Sequence, residues 1–323
     1  MLKIFWGVFL FFTVRNAPAQ FTADSISAAA AKKYISFLAA DNMGGRVNFS
    51  ANQLEAAAYL AKQFNSFGLV PYPEYNNFYQ PFFTSDHQKL PPFFTTDALH
   101  TDTLYNIVGI LPGKSKAGEA IIFSAHYDHV EAAIPTLRSP VYNGANDNAS
   151  GTTAVLLLAD YFAKRHDNER TLVFCLFAAE ELGLIGSRAF ARQVEADSII
   201  AVINVEMIGM HNRSGKNKFF LTGSGKSTLE DILAKNLSGT PVAIHPEGAD
   251  VASLFTRSDN YSFAKKGIVA HSIMCSDDND PCYHKPCDDT KRIDFSHFIT
   301  IIRGIAIACQ TLVDGTDTPV WKQ

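Results

Sequence analysis

The sequence predicts a single-domain α/β fold, with three α/β/α layers around a mostly parallel mixed central sheet. From about residue 103 onward, apolar runs typical of buried strands alternate with helical segments, as in a sheet covered by helices. The 323 residues are 47% hydrophobic and 19% charged, which is enough apolar material for a large core. No internal repeat, low-complexity tract or interior linker divides the sequence, so we expect residues 20–323 to form one domain.

The elements follow from local patterns along the chain. Two helices are predicted at 24–41 and 51–68, the second with Asn52 as its N-cap and Gly68 just past its end. Residues 70–100 are rich in Pro, Phe and Tyr without periodicity, which predicts an irregular connection. Strands are then predicted at 103–110, 120–125, 171–178, 199–206, 217–222, 241–245 and 267–274, and helices at 150–164, 184–195, 226–237 and 293–313.

Residues 1–19 have the pattern of a secretory signal peptide. Lys3 precedes the apolar run 4–14, and the small-x-small motif Ala17-Pro-Ala19 follows. The run is too short to span a membrane, although an uncleaved anchor is the alternative interpretation. We expect cleavage after this motif or one residue later, export to the periplasm or the extracellular space, and no stable membrane insertion of the mature chain.

The charge distribution excludes two classes of partner. The net charge of −4 becomes −6 when Lys3 and Arg15 leave with the signal peptide, and no block of five like charges occurs. Nucleic acids and anionic membrane surfaces are therefore not expected to bind this protein.

The five cysteines are consistent with an oxidising compartment. Cys282 and Cys287 flank His284 and are expected to form a disulfide, with Cys275 as a competing partner and zinc ligation as the alternative. The remaining two are expected to be buried thiols in a strand and a helix: Cys175 and Cys309.

Two adjacent acids, Glu180 and Glu181, end the apolar run at 171–179. Open α/β sheets bind ligands at the carboxyl ends of their strands, where such buried carboxylates would otherwise be costly. Consecutive residues on extended backbone point apart, so we expect one metal ligand, Glu181, and one general base, Glu180. The alternative is an exposed acidic pair in the first turn of the next helix.

Two further strand ends and two connecting segments carry metal-ligand residue types. The strand at 120–125 is followed by His126, and Asp128 could accept from its second ring nitrogen. Asp147 precedes Ser150, the expected N-cap of the next helix. The remaining two candidates are Glu206 at the end of an apolar strand and His284 in the loop that contains Cys282 and Cys287.

These side chains provide five candidate ligands. A single catalytic zinc uses three protein ligands, whereas five ligands with one shared carboxylate make two three-ligand sites. Mixed imidazole and carboxylate ligation predicts two Zn²⁺, with Co²⁺ or Mn²⁺ as substitutes. The five are His126, Asp147, Glu181, Glu206 and His284.

In these residues the chain resembles metallopeptidase family twenty-eight, the di-zinc aminopeptidases whose relatives include glutamate carboxypeptidase and glutaminyl cyclase. The resemblance covers most of the mature chain and implies a zinc-peptidase fold of the phosphorylase/hydrolase-like type. The matching segments are Leu38–Arg46, Ser124–Asp128, Asn143–Gly151, Phe177–Gly183, Asn204–Gly209, Arg257–Phe263 and Tyr283–Pro286.

The resemblance also implies roles for individual residues. Asp147 would bridge the two metals and be joined to Asn148 by a cis peptide bond. Glu206 stands where most members have Asp, so its ligation is expected with a shifted metal or altered affinity. The implied assignments are one metal on His126, Asp147 and Glu206, the other on Asp147, Glu181 and His284, Glu180 as general base, Asp128 orienting His126, and Tyr283 stabilising the oxyanion.

The resemblance therefore implies an aminopeptidase that hydrolyses peptides with a free N-terminus, through a metal-bound hydroxide and a Glu general base, and the signal-peptide pattern predicts its export. One alternative is a one-zinc glutaminyl cyclase, although such members typically have Ser where this chain has His129. Others are a non-catalytic module on the same fold, or unrelated surface acids and histidines on a sugar- or peptide-binding protein. Loops 130–142 and 246–262 are candidates for the substrate pocket. Phe255 and Tyr261 could line it, and core packing is the alternative for either.

Overall fold

A computed structural model describes residues 22–75, 77–83, 103–131, 140–211 and 213–322. The predicted signal peptide lies outside these residues. Within them, no helix combines the length and apolar character needed to cross a membrane.

The described residues form one nine-stranded mixed sheet. In chain order the strands β1 to β9 are Val70–Pro71, Tyr79–Phe83, Thr103–Leu111, Lys116–His126, Arg170–Phe177, Ile199–Glu206, Lys218–Leu221, Ala243–Ile244 and Ala270–Met274. Their order in the sheet is β1-β3-β5-β4-β6-β9-β7-β8, with β2 paired to β3 beside this path. The central strands β5, β4, β6 and β9 are parallel, whereas β3 pairs antiparallel with β5 and β7 pairs antiparallel with β9.

Helices cover both faces of the sheet, as the sequence predicts. In β4, Ile121 and Phe123 pack with the helices of one face, whereas Ile122 packs with Phe190 and Phe263 on the other. This alternation follows from the two-residue period of a strand and gives the three-layer arrangement. The helices α1 to α8 are Ala28–Leu38, Ala51–Ser66, Gly151–Arg165, Ile185–Ala191, Leu229–Asn236, Asn260–Ala264, Phe295–Ala308 and Gln310–Val313.

The prediction of an irregular connection at 70–100 was wrong for part of that segment. Residues Tyr79–Phe83 form β2, which pairs antiparallel with β3. Gln80 and Phe82 are buried while Phe83 is exposed, so the segment has the alternation of a half-buried strand. Pro81 hides this pattern, because proline is a poor strand former except where its missing N–H faces no partner. Residues 84–100 lie outside the described part of the chain.

Several element ends also differ from the predictions, and two helices illustrate why. Helix α2 is capped by Ser50, whose Oγ accepts from the Gln53 N–H, whereas Asn52 donates to the Asn42 carbonyl. The long helix predicted at 293–313 ends at Ala308, and a short helix follows Cys309.

The disulfide prediction is confirmed. Cys282 and Cys287 are bonded, while Cys175, Cys275 and Cys309 are free and buried. The bond closes a short loop around His284, whose φ of 52° is left-handed. Closing so short a loop restricts where the His284 ring can lie.

Candidate metal centre

The carboxyl ends of the central parallel strands bring all five predicted ligands together. His126 ends β4, Glu206 ends β6, and Glu181 lies four residues past the end of β5. Asp147 lies in the segment between β4 and α3, and His284 follows β9. Parallel strands end at the same edge of a sheet, which is why ligands far apart in sequence meet here.

Asp147 lies between two imidazoles. Its Oδ1 is 3.4 Å from Nε2 of His126, and its Oδ2 is 3.1 Å from Nε2 of His284. On the first side Glu206 Oε1 is 3.7 Å from His126 Nε2, and on the second Glu181 Oε2 is 3.2 Å from His284 Nε2. One carboxylate therefore belongs to two separate sets of three candidate ligands.

The residues fit divalent cations. Nε2 of His126, Nε2 of His284 and Oδ2 of Asp147 are buried and make no hydrogen bond among the described residues. Buried polar atoms without partners are costly, and here they converge on two points. Burial lowers the pKa of His284, yet Asp147 and Glu181 outweigh it and raise that pKa to about 10. The site thus favours positive charge strongly.

The ring of His126 is oriented by the turn that follows it. Its Nδ1 donates to the backbone carbonyl of Asp128 at 3.1 Å, which leaves Nε2 to face Asp147. The carboxylate of Asp128, which was the predicted acceptor of this proton, is not the partner, because its nearer oxygen is 3.7 Å from Nδ1 of His126. That carboxylate instead accepts from the backbone N–H groups of Glu180 and Glu181. Asp128 therefore ties the end of β5 to the end of β4.

The Asp147-Asn148 peptide bond is cis, as the family resemblance implied. Ser150 occupies the N-cap position of α3, as predicted, but its side chain makes no capping bond, whereas Asn148 Oδ1 accepts from the Gly151 N–H. Ser150 instead donates to the carbonyl of Asn146. Asn148 Oδ1 also accepts from the N–H of Met207, so this segment is joined to the end of β6.

Asp288 supports the bridging residue from behind. Its two oxygens accept from the backbone N–H groups of Asn146 and Asp147 at 2.9 and 3.0 Å. Burial raises the pKa of Asp288 to about 6 despite these bonds. The backbone of Asp147 is consequently held in place by the carboxylate of Asp288.

The longer side chain of Glu206 has a partner for its second oxygen. Ser258 donates a short hydrogen bond to Glu206 Oε2, and Asn204 Nδ2 approaches the same oxygen at 3.4 Å. These contacts aim Oε1 toward His126. Glu206 therefore replaces the aspartate of most members with an oriented carboxylate.

We expect Glu206→Asp to weaken metal binding selectively at the ligand set of His126, Asp147 and Glu206. Shortening the side chain withdraws the ligand oxygen and breaks its bond to Ser258, and loss of such a supporting bond alone costs roughly 10–100-fold in metal affinity. Zinc titration of the apoprotein should show one site weakened and the other unchanged. Ser258→Ala should give the same selectivity with a smaller loss, and equal weakening of both sites would contradict the assignment.

Glu180 and Tyr283 line a cavity of about 340 Å³ beside the two ligand sets. Burial, with Glu206 and Glu181 nearby, raises the pKa of Glu180 well above that of a free carboxyl although His126 opposes the shift. Burial also raises the pKa of Tyr283, so its hydroxyl stays protonated. Leu254, Met207 and Met274 form an apolar wall of the same cavity.

The two aromatic residues predicted as pocket candidates lie elsewhere. Phe255 packs against Tyr261, His271 and Trp321, and neither Phe255 nor Tyr261 is among the residues that line the cavity. Loop 246–262 does contribute to the cavity, through Leu254 and Thr256–Ser258. Residues 132–139 of the other predicted loop lie outside the described residues.

Sequence reasoning missed three buried residues that shape this centre. His129 lies beside Glu181 with its Nδ1 3.2 Å from Oε1. Arg46 donates to four backbone carbonyls around the site. Asp259 is buried with both oxygens lacking a hydrogen bond among the described residues, and burial raises its pKa to about 7. The spacing of His129 three residues after His126 was the available clue for the first.

The chain belongs to peptidase family M28, whose model matches residues 106–308, more than half of the sequence. A probable leucine aminopeptidase of Arthroderma otae is 26% identical over 209 residues, covering 60% of this chain and 53% of that protein. Aminopeptidase YwaD of Bacillus subtilis is 28% identical over 206 residues, covering 61% and 42%. The chain spans about half the length of the curated relatives it matches.

Solved structures share the fold. A zinc aminopeptidase from Bacillus subtilis superposes with a TM-score of 0.70 at 17% identity, covering 89% of this chain and 95% of the other. A glutaminyl cyclase from Porphyromonas gingivalis gives 0.66 at 17% identity, covering 89% and 99%. The predicted fold class is therefore confirmed.

Proposed function

We propose that this protein is a di-zinc aminopeptidase that removes N-terminal residues from peptides. The observation that carries the proposal is the position of Asp147, because each of its two carboxylate oxygens faces a different imidazole. One shared carboxylate between two ligand sets suits a pair of zinc ions, for which Co²⁺ or Mn²⁺ could substitute. The leucine aminopeptidase and YwaD relatives support the same activity.

The ligand sets would hold the ions as the family resemblance implied. Residues His126, Asp147 and Glu206 would hold one, and Glu181 and His284 would hold the other together with Asp147. Bound zinc supplies Lewis acidity and lowers the pKa of an attacking water.

Glu180 is proposed as the general base. It lines the cavity directly before the ligand Glu181, and burial raises the pKa of its carboxyl, which makes it a stronger base than a free carboxylate. Glu180 would take a proton from the attacking water and return it to the leaving amine. Tyr283, kept protonated by burial, would donate a hydrogen bond to the developing oxyanion.

The cavity suits a peptide whose first residue is apolar and carries a free amine. Carboxylates of Glu180 and Glu206 face a cavity in which a cationic α-amine would be attracted. The wall of Met207, Leu254 and Met274 offers apolar surface to a side chain such as Leu or Met.

The localisation proposed is outside the cytoplasm. Lys3, the apolar run 4–14 and Ala17-Pro-Ala19 form the export pattern. The Cys282–Cys287 disulfide supports an oxidising compartment, where such bonds persist.

A substrate panel tests the activity. Aminoacyl-4-nitroanilides and peptides beginning with Gln should be assayed with the native enzyme, after chelation, and after zinc is restored. We expect hydrolysis of Leu and Met substrates, loss on chelation, recovery with zinc, and two zinc ions per chain. Cyclisation of the Gln peptides at one zinc per chain, without hydrolysis, would favour a glutaminyl cyclase instead.

A further inference from the structure

His129 is a buried histidine that the five predicted ligands do not include. It lies in the turn after β4, and its side chain is fully buried. Its Nδ1 is 3.2 Å from Oε1 of Glu181 and 3.7 Å from Oδ2 of Asp147. The ring is nearly perpendicular to that of His284, with centroids 5.5 Å apart. His129 therefore faces the second ligand set directly.

The separations among these atoms match those of a zinc coordination sphere. Ligands bound at about 2.0–2.1 Å in a tetrahedron lie roughly 3.3–3.4 Å apart. Around the second set the measured imidazole–carboxylate separations are 3.1, 3.2, 3.2 and 3.7 Å. One atom from each of His129, Asp147, Glu181 and His284 lies within 4.8 Å of all the others.

The packing around His129 allows the ring to reach this position. A Cβ added to Gly144 would lie 2.5 Å from His129 Cγ, so the glycine leaves the space that the ring occupies. Nε2 is buried without a hydrogen bond among the described residues, so the polar contacts of the ring are those of Nδ1. The ring is thus wedged into place with Nδ1 directed at two carboxylates.

We propose that His129 is a fourth protein ligand of the second zinc site, beside Asp147, Glu181 and His284. This inference rests on the proposed zinc centre and gives its two metal sites different numbers of protein ligands. The second ion would be held by four protein atoms, as in closed zinc sites, whereas the first set has three and keeps a position open. The second ion should therefore be retained more tightly than the first.

X-ray absorption of the zinc-loaded wild-type protein tests the proposal without a variant. The expected count is three imidazoles for each pair of ions, and His129→Gln should reduce it to two. Affinity should also fall at least about tenfold at the tighter site only. The exposed His166 provides the control, because His166→Ala should change neither value.

The possible outcomes distinguish a failure of the His129 assignment from a failure of the proposed function. Two imidazoles per pair of ions in the wild type would overturn His129 as a ligand and leave it as a hydrogen-bond partner of Glu181. Affinity alone would not distinguish these roles, since loss of a partner to a ligand also weakens binding. A wild-type protein that binds no zinc would overturn the proposed function itself.

Discussion

Replacing Glu180 with Gln should reduce kcat by about 10²–10⁴-fold, the usual contribution of a positioned general base. The amide keeps nearly the same shape but cannot accept the proton of the attacking water. Because Glu180 belongs to neither bridged ligand set, the zinc content should match that of the wild type. Initial rates on a Leu substrate, with zinc measured on the same samples, provide the test.

Two control variants distinguish loss of the general base from loss of zinc and from a nonspecific effect of the Glu→Gln change. Glu181→Gln should lose zinc as well as activity, because Glu181 faces His284 and belongs to a ligand set. The exposed Glu55 on α2 gives a matched change, Glu55→Gln, that should leave the rate unaltered. Hydrolysis by the Glu180 variant at the wild-type rate would remove Glu180 from the mechanism.

Arg46→Met should lower the free energy of unfolding by roughly 3 kcal/mol or more, because each buried hydrogen-bond acceptor left unpaired costs roughly 1–3 kcal/mol. The guanidinium is fully buried and donates to the carbonyls of Leu38, Tyr127, Asn143 and Gly144. Methionine fills part of the volume but leaves these acceptors unpaired, which is costly. Denaturant unfolding measures the loss.

Arg46 should also affect metal binding, because it donates to carbonyls in two segments next to candidate ligands. Tyr127 directly follows His126, and Gly144 packs closely against the ring of His129. We expect zinc affinity at least about tenfold weaker in the folded Arg46 variant. Lysine should rescue little, since one ammonium cannot reproduce the planar fork of donors.

The second fully buried arginine is the matched control. Arg170 begins β5 at the opposite edge of the sheet, where it pairs with Glu119 and donates to the carbonyls of Leu312 and Asp317. Arg170→Met should destabilise the fold but leave zinc affinity unchanged. If both variants bind zinc like the wild type, Arg46 has only a structural role.

Much of the fold was predictable because its central strands are continuous apolar runs. Buried parallel strands such as β5 and β6 need no partner to be recognised, since both of their faces are covered. Edge elements were harder. β2 contains Pro81 and depends on pairing with β3, which is a long-range interaction absent from its local sequence.

The candidate ligands could be predicted for the same reason. Carboxylates and imidazoles that interrupt apolar runs are conspicuous, and the pair Glu180–Glu181 and Glu206 directly follow such runs. Ser150 shows the limit of local rules, because its hydroxyl bonds to Asn146 and Asn148 takes the capping role. No pattern in the residues around Ser150 predicts that the side chain of Asn148 also accepts a hydrogen bond from the Met207 N–H.

The amino-acid sequence by itself determined which residue types end the buried strands, because the penalty for burying charge singles them out. Only the tertiary structure decided how they are shared. Asp147 lies between two imidazoles, Ser258 aims Glu206, and Arg46 gathers carbonyls from three segments. These contacts join residues distant in the chain, so their geometry depends on how the strands and loops pack together and not on any local pattern.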